Sequence, residues 1–325
     1  MLIIRAHEQK TLIDMKELIE HAAMALKEFS SGRTVTPIRA ALPFNDGQNT
    51  ALVMPSAADA AGSMGVKVVT VAPNNKKLGK QTITGTVILL DFRTGEPVAL
   101  LEGSYLTMCR TGALSGVATK YLSRPDSNKL SIIGTGGQAK GLVEAMIAVR
   151  DIEEVSLYNR SEQKVHELAE YIRHSFHKHV HVYTKADEAV KNADIIVTAT
   201  NSSTPVFSER LQPGVHVNAV GSFRPTMQEL PSHAISSAHK VVVESREAAL
   251  EETGDLQIPI QEGIFKAGDI YGELGEIIGG ELKGRETEEE ITVFESVGLA
   301  VADIIVAKYI YEKALQKKVG TLIDL

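Results

Sequence analysis

The run SIIGTGGQAKG, residues 131–141, sets four glycines and an alanine directly behind an apolar segment, near the middle of a chain of 325 residues. Gly134, Gly136 and Ala139 match G-x-G-x-x-A. In that pattern the first glycine makes a tight turn, the second lets backbone approach a pyrophosphate, and the small third residue lets helix and strand pack closely. The pattern constrains its surroundings, because it needs a strand before it, a helix behind it and further βα units to complete a sheet. The sequence supplies them. Short apolar runs at 130–133, 155–158, 180–183, 195–199, 215–220 and 241–243 alternate with helical spacing, which predicts a parallel, doubly wound Rossmann sheet over 124–299.

That leaves more than a hundred residues ahead of the turn. Asp14 and Glu17 are spaced as a capping box, and Met15, Leu18, Ile19, Ala22, Leu26 and Phe29 fall on one helical face. The runs ALVMPS, GVKVVTV, TGTVILLDF and PVALLEG are then divided by Gly, Pro and Asn turns, which predicts an antiparallel sheet. Helical spacing returns from Thr107 to Leu122, and SRPDSN ends it. A last helix is expected over Val293–Leu315, packing back on this first sheet. The fold class is thus α/β, with the Rossmann domain inserted in a discontinuous α+β domain made of 1–123 and 300–325.

A formal charge of −7 gives no cationic field for nucleic acid or anionic lipid, so neither is an expected partner. The stretch VGLAVADIIVAKYIY is broken by Asp303 and Lys308 and is too short to span a bilayer. Cys109 is the sole cysteine, and the opening MLIIRAHEQK meets Arg5 too early for a signal peptide. A cytoplasmic location is expected. His177, His179 and His181 share a strand face with no nearby ligand to complete a metal set, so no metal site is assigned. The acidic run in GRETEEEITVF reads as a helix N-terminus. Cys109, although beside Arg110, lacks the signature of a catalytic thiol.

The second Rossmann strand ends Tyr158-Asn159-Arg160, where an NAD site would place a carboxylate. Arg160 can instead bond a 2′-phosphate, so NADPH is the expected cofactor, with NADH able to substitute. In the first half, Arg39, Lys67 and Arg110 are cations in apolar or small-residue surroundings, where an unpaired charge is costly and a partner is required. Arg suits bidentate capture of a carboxylate, and a desolvated Lys can exchange a proton near neutral pH. The three together fit an amino or imino acid.

In order, GVKVV, LTMCRTGALSG, IIGTGGQAKG, VTATNSSTPVF, HVNAVGSFRPTMQEL and VFESVGLAVAD resemble the ornithine cyclodeaminase and mu-crystallin family across nearly the whole chain. The resemblance implies a homodimer with a substrate and dimerisation domain around an inserted Rossmann domain. It implies that Arg39, Thr82 and Arg110 bind substrate and that Lys67 is catalytic. It also implies that Gly137, Gln138, Asn159, Arg160, Thr200, Val220 and Ser296 contact the cofactor, beside the motif residues Gly134, Gly136 and Ala139. Cyclodeaminases carry an Asp two residues after the Gly of NAVG. Here Phe223 stands there, and a phenyl ring neither accepts a proton nor orients water. The GSFRP variant is similar to the ketimine and cyclic imino acid reductases. The expected reaction is NAD(P)H-dependent reduction of Δ1-pyrroline-2-carboxylate to L-proline, with Δ1-piperideine-2-carboxylate as a second substrate. Alanine dehydrogenase, ornithine cyclodeaminase and a crystallin-like binding protein are the alternatives.

Overall fold

The computed structural model describes residues 1–324. By its contacts the chain divides into two compact units, Met1–Arg110 with the chain from Leu299 on, and Thr111–Gly298.

The first unit opens with β1 (Leu2–Ile4), α1 (Ala6–Leu12) and α2 (Met15–Ser30). Asp14 caps α2 by accepting from the Lys16 and Glu17 N–H groups. The reciprocal half of the expected capping box is absent, because the Glu17 carboxylate turns to Lys313 at 2.7 Å and the Tyr309 hydroxyl at 3.0 Å. Leu18, Ile19, Ala22 and Leu26 are buried, as the helical spacing requires. Then come β2 (Thr34–Val35), β3 (Ala40–Phe44), β4 (Asn49–Ala58), β5 (Ser63–Val71), β6 (Ile83–Leu90) and β7 (Pro97–Glu102). From β4 to β7 each strand pairs antiparallel with the next, as expected. The edge differs: β1 joins β7 in parallel.

A long helix, α3 (Gly103–Leu122), starts four residues before its expected beginning. The division between the units falls inside it, between Arg110 and Thr111, whereas the sequence places a boundary after 123.

The second unit holds β8 (Lys129–Ile133), α4 (Ala139–Val149), β9 (Glu154–Tyr158), α5 (Glu162–Phe176), β10 (His179–Val182), α6 (Ala186–Val190), β11 (Ile195–Thr198), β12 (His216–Ala219), α7 (Ser232–Ser236), β13 (Lys240–Val243), α8 (Arg246–Glu252), α9 (Gly254–Gln261), β14 (Gly272–Glu273), α10 (Leu274–Gly279) and β15 (Thr292–Glu295). All pairings in this sheet are parallel, in the order β10-β9-β8-β11-β12-β15-β13-β14. The chain winds outward from β8 through β9 to β10, then from β11 the other way. Such a reversal opens a crevice at the carboxyl ends of the central strands, where ligands bind in this architecture.

Residues Thr292–Glu295 are not the start of the last helix but a strand inserted between β12 and β13. A short run buried on both faces carries no alternation, so its pattern is the same as that of a buried helix turn. Gly298, at φ +90°, then breaks the run before α11 (Ala300–Lys317). The acidic segment 284–290 is a loop and not a helix start, and Glu286 and Glu290 pair with Lys240 at 2.9 and 3.4 Å.

The last helix, α11, belongs to the first unit and packs on β4, β5, β6 and α2. The chain then closes that sheet with β16 (Thr321–Leu322), antiparallel to β1. His179 and His181 lie on the edge strand β10, while His177 ends α5 in a left-handed conformation. Among the described residues no helix is long and apolar enough to cross a membrane.

Candidate active site

Alternation along β5 buries Ser63, Gly65 and Lys67 on the side that meets α11. Gly65 is required there, because a Cβ would overlap the Ile88 carbonyl and press on the Ile304 side chain. Ser63 donates to the Ile304 carbonyl at 3.0 Å, pinning the same turn of α11. Lys67 therefore points at Asp303, one turn into the helix, and its Nζ donates to Oδ2 of that carboxylate. The other oxygen, Oδ1, accepts from Arg110 Nε at 2.9 Å. Lys67 and Asp303 are 1% and 0% exposed and Arg110 is 6% exposed, so one carboxylate serves two buried cations.

Burial pulls the Lys67 ammonium down from its ordinary range to about 7. Asp303 opposes that fall, and the charges of Arg110 and Arg39 add to it. Lys67 can therefore gain and lose a proton near neutrality, as a general acid must. Arg39 lies close enough to act on Lys67 by charge, whereas among the described residues no side-chain hydrogen bond joins Thr82 to the cluster. Thr82 contributes its carbonyl, which accepts from Ala72 N–H at 2.7 Å.

In the second unit, the glycine turn leaves β8 with Gly134 at φ +102°. A Cβ on Gly134 would collide with the carbonyl of Ala199, so β8 and β11 approach closely only because the residue is glycine. Asn159, just beyond β9, accepts from Thr135 N–H at 3.4 Å and donates to Ser161 O at 3.2 Å. Ala139 is buried at the start of α4, and Gln138 precedes it. Val220 N–H is taken by Thr198 O at 3.0 Å. Ser296 is buried and donates to Glu244 at 2.6 Å. Arg160 is exposed and forms no ion pair among the described residues.

The turn fits a dinucleotide on two counts. A Cβ on Gly136 or Gly137 would meet nothing within 4 Å, so phosphate oxygens have room to reach backbone there. Among the described residues Thr135 Oγ1 and Gln138 Oε1 are buried with no hydrogen-bond partner, and such orphaned atoms are costly unless a ligand or water satisfies them.

The ornithine cyclodeaminase/mu-crystallin family model matches residues 1–318. The chain belongs to that family. A Bacillus cereus relative named Delta(1)-pyrroline-2-carboxylate reductase is 66% identical over 324 residues, covering 100% of both chains. The structure of the Thermococcus litoralis Delta(1)-pyrroline-2-carboxylate reductase, in complex with NADH and L-proline, superposes with a TM-score of 0.95 at 39% identity, over 99% of this chain and 100% of that one. An archaeal alanine dehydrogenase dimer with bound NAD superposes at 0.91 with 34% identity, over 99% and 98% of the two chains.

Two residues of this family member escape sequence reasoning. Asp303 reads only as an interruption in an apolar stretch, and that interruption is itself the signal, since a lone carboxylate there needs a buried cation. Glu229, within TMQEL, is likewise buried, and it accepts from the Thr200 and Gly221 N–H groups.

Proposed function

We propose that this protein is an NADPH-preferring imine reductase that converts Δ1-pyrroline-2-carboxylate to L-proline, accepting NADH as a second cofactor and Δ1-piperideine-2-carboxylate as a second substrate. The observation that carries it is the buried set Lys67, Asp303 and Arg110, in which one carboxylate accepts from both cations and burial pulls the Lys67 ammonium down from its ordinary range. Full-length identity of 66% to a relative named for that reaction supports the substrate.

The roles follow from the side chains. Arg110 and Arg39 hold the substrate carboxylate through charge-assisted hydrogen bonds. Lys67 places a proton on the ring nitrogen, directly or through one water, and Asp303 keeps its ammonium aimed. When bound, the reduced nicotinamide supplies the hydride that the imine carbon receives. Gly136, Gly137 and Gln138 would hold the pyrophosphate, and Asn159, Thr200, Val220 and Ser296 would complete that site. The guanidinium of Arg160, exposed and without an ion pair among the described residues, would hold the 2′-phosphate, which is the reason for preferring NADPH. Phe223, half-buried with the Arg224 guanidinium 5.5 Å from its ring centre, offers apolar surface and no acid, which disfavours cyclodeamination.

The protein acts as a cytoplasmic homodimer in this reading. The face of the first sheet turned from α11 carries Leu42 and Phe44, 54% and 43% exposed, and a second copy would cover them. The decisive test is NADPH oxidation by pure protein with each cyclic imine in ammonia-free buffer, beside pyruvate plus ammonia and ornithine plus NAD. Turnover of the cyclic imines without ammonia is expected. Turnover with pyruvate and ammonia alone would make the protein an alanine dehydrogenase, and no turnover at all would make it a binding protein.

A further inference from the structure

Behind the carboxyl ends of β11, β12, β13 and β15 lie four buried carboxylates, Glu229, Asp255, Glu295 and Glu244, each at most 1% exposed. Glu229 is the member that touches both strands flanking the candidate cofactor residues Thr200 and Val220. Its Oε1 accepts from Thr200 N–H at 2.5 Å. Its Oε2 accepts from Gly221 N–H at 2.7 Å and from the Thr198 hydroxyl at 3.1 Å. Thr198 and Thr200 lie at the end of β11, and Gly221 lies two residues past β12.

The surroundings are built for a carboxylate. Gly221 leaves the room, because a Cβ there would lie 2.6 Å from Glu229 Cδ and would overlap the Thr200 backbone. Asp255 fixes the backbone of Glu229 from behind, its Oδ1 accepting from Glu229 N–H at 2.7 Å and Leu230 N–H at 2.8 Å. Three donors converge on two oxygens. A glutamine would offer one acceptor oxygen and turn its NH₂ on a backbone N–H. Burying a carboxylate is costly unless its hydrogen bonds repay the lost hydration. A purely packing role would be met as well by an apolar residue of similar volume.

We propose that Glu229 is a positioning residue for the dinucleotide, fixing the spacing of the β11 and β12 ends through the Thr200 and Gly221 N–H groups. This rests on the function proposed above, which assigns Thr200 and Val220 to the cofactor. Glu229 touches no reacting atom, so its loss acts on cofactor affinity before turnover.

The test is titration calorimetry of NADPH against the full chain without imine, with steady-state kinetics and amide hydrogen exchange on the same samples. For Glu229→Gln the NADPH dissociation constant is expected to rise about tenfold or more, with kcat falling by less. Exchange at Thr200 and Gly221 should quicken while amides of β9 and β10 keep their rates. Thr198→Val removes one donor and leaves both N–H contacts, so its affinity should change less than threefold. If Glu229→Gln does not fold, Glu229→Asp carries the same test, because the shorter side chain cannot reach both strand ends. An unchanged dissociation constant in a folded Glu229 variant, with only a lower Tm, overturns the inference and leaves the enzyme's function standing. Failure of the wild-type protein to bind NADPH or NADH overturns both.

Discussion

Lys67 and Arg110 carry like charges into a dry interior, where each loses its hydration and repels the other. Asp303 makes the arrangement stable by accepting from both, one oxygen each. Lys67→Met is expected to lower kcat by ~10²- to 10⁴-fold, the usual worth of a positioned acid. NADPH affinity, read by calorimetry, should stay within about twofold, since Lys67 and the glycine turn belong to different units. The pH profile gives an independent check. The acid form of Lys67 exists below about 7, so kcat/KM for imine reduction should fall as pH rises through that value. Asp303 raises the Lys67 pKa, so Asp303→Asn should move that falling limb to lower pH. A limb that stays in place would detach it from Lys67. At the far end of β9, Arg160→Asp should raise the NADPH KM well above its effect on NADH, because a carboxylate repels the 2′-phosphate and bonds the ribose hydroxyl. Equal loss with both cofactors would remove Arg160 from that contact.

The elements carrying these residues meet at positions where side chains are excluded. In α3, a Cβ on Gly112 would overlap the backbone carbonyl of Gly141 in α4, so the two helices touch at van der Waals distance through paired glycines. Gly112→Ala is therefore expected to cost more than the gain in helix propensity returns, on the order of 1–3 kcal/mol as overpacking does. Its denaturation midpoint in urea should fall with an unchanged slope. Because α4 begins at the glycine turn, the same variant should weaken NADPH binding. β15 shows the complementary case. It is buried on both faces between β12 and β13, and Glu295 at its end accepts from the Thr253 hydroxyl at 2.8 Å.

For the whole molecule, the first sheet leaves apolar side chains exposed on the face turned from α11. On β4 and β5, Met54 and Lys67 face inward as a pair, and the register then turns Leu42, Phe44, Val53 and Val68 to the other side. Apolar patches of this kind mark interfaces. Analytical ultracentrifugation of the wild-type protein should give a dimer, and Leu42→Glu should shift it to monomer by burying a charge without a partner. A monomeric wild type would reject the assembly.

The amino-acid sequence by itself determined the βα alternation and the glycine turn, and it marked Lys67 and Arg110 as cations that need a partner, because each is written in local periodicity or in a residue type that is costly to bury. It also carried the family, through a run of motifs spread along the chain. Only the tertiary structure decided the rest. Whether Thr292–Glu295 is strand or helix depends on the two strands it enters between, and no local pattern records them. Asp303 is 236 residues from Lys67 and 193 from Arg110, so its partnership exists only once α11 lies across β5. Glu229 likewise becomes an acceptor for two strand ends only when β11 and β12 stand side by side, since hydrogen bonds between distant residues depend on where the fold brings their atoms.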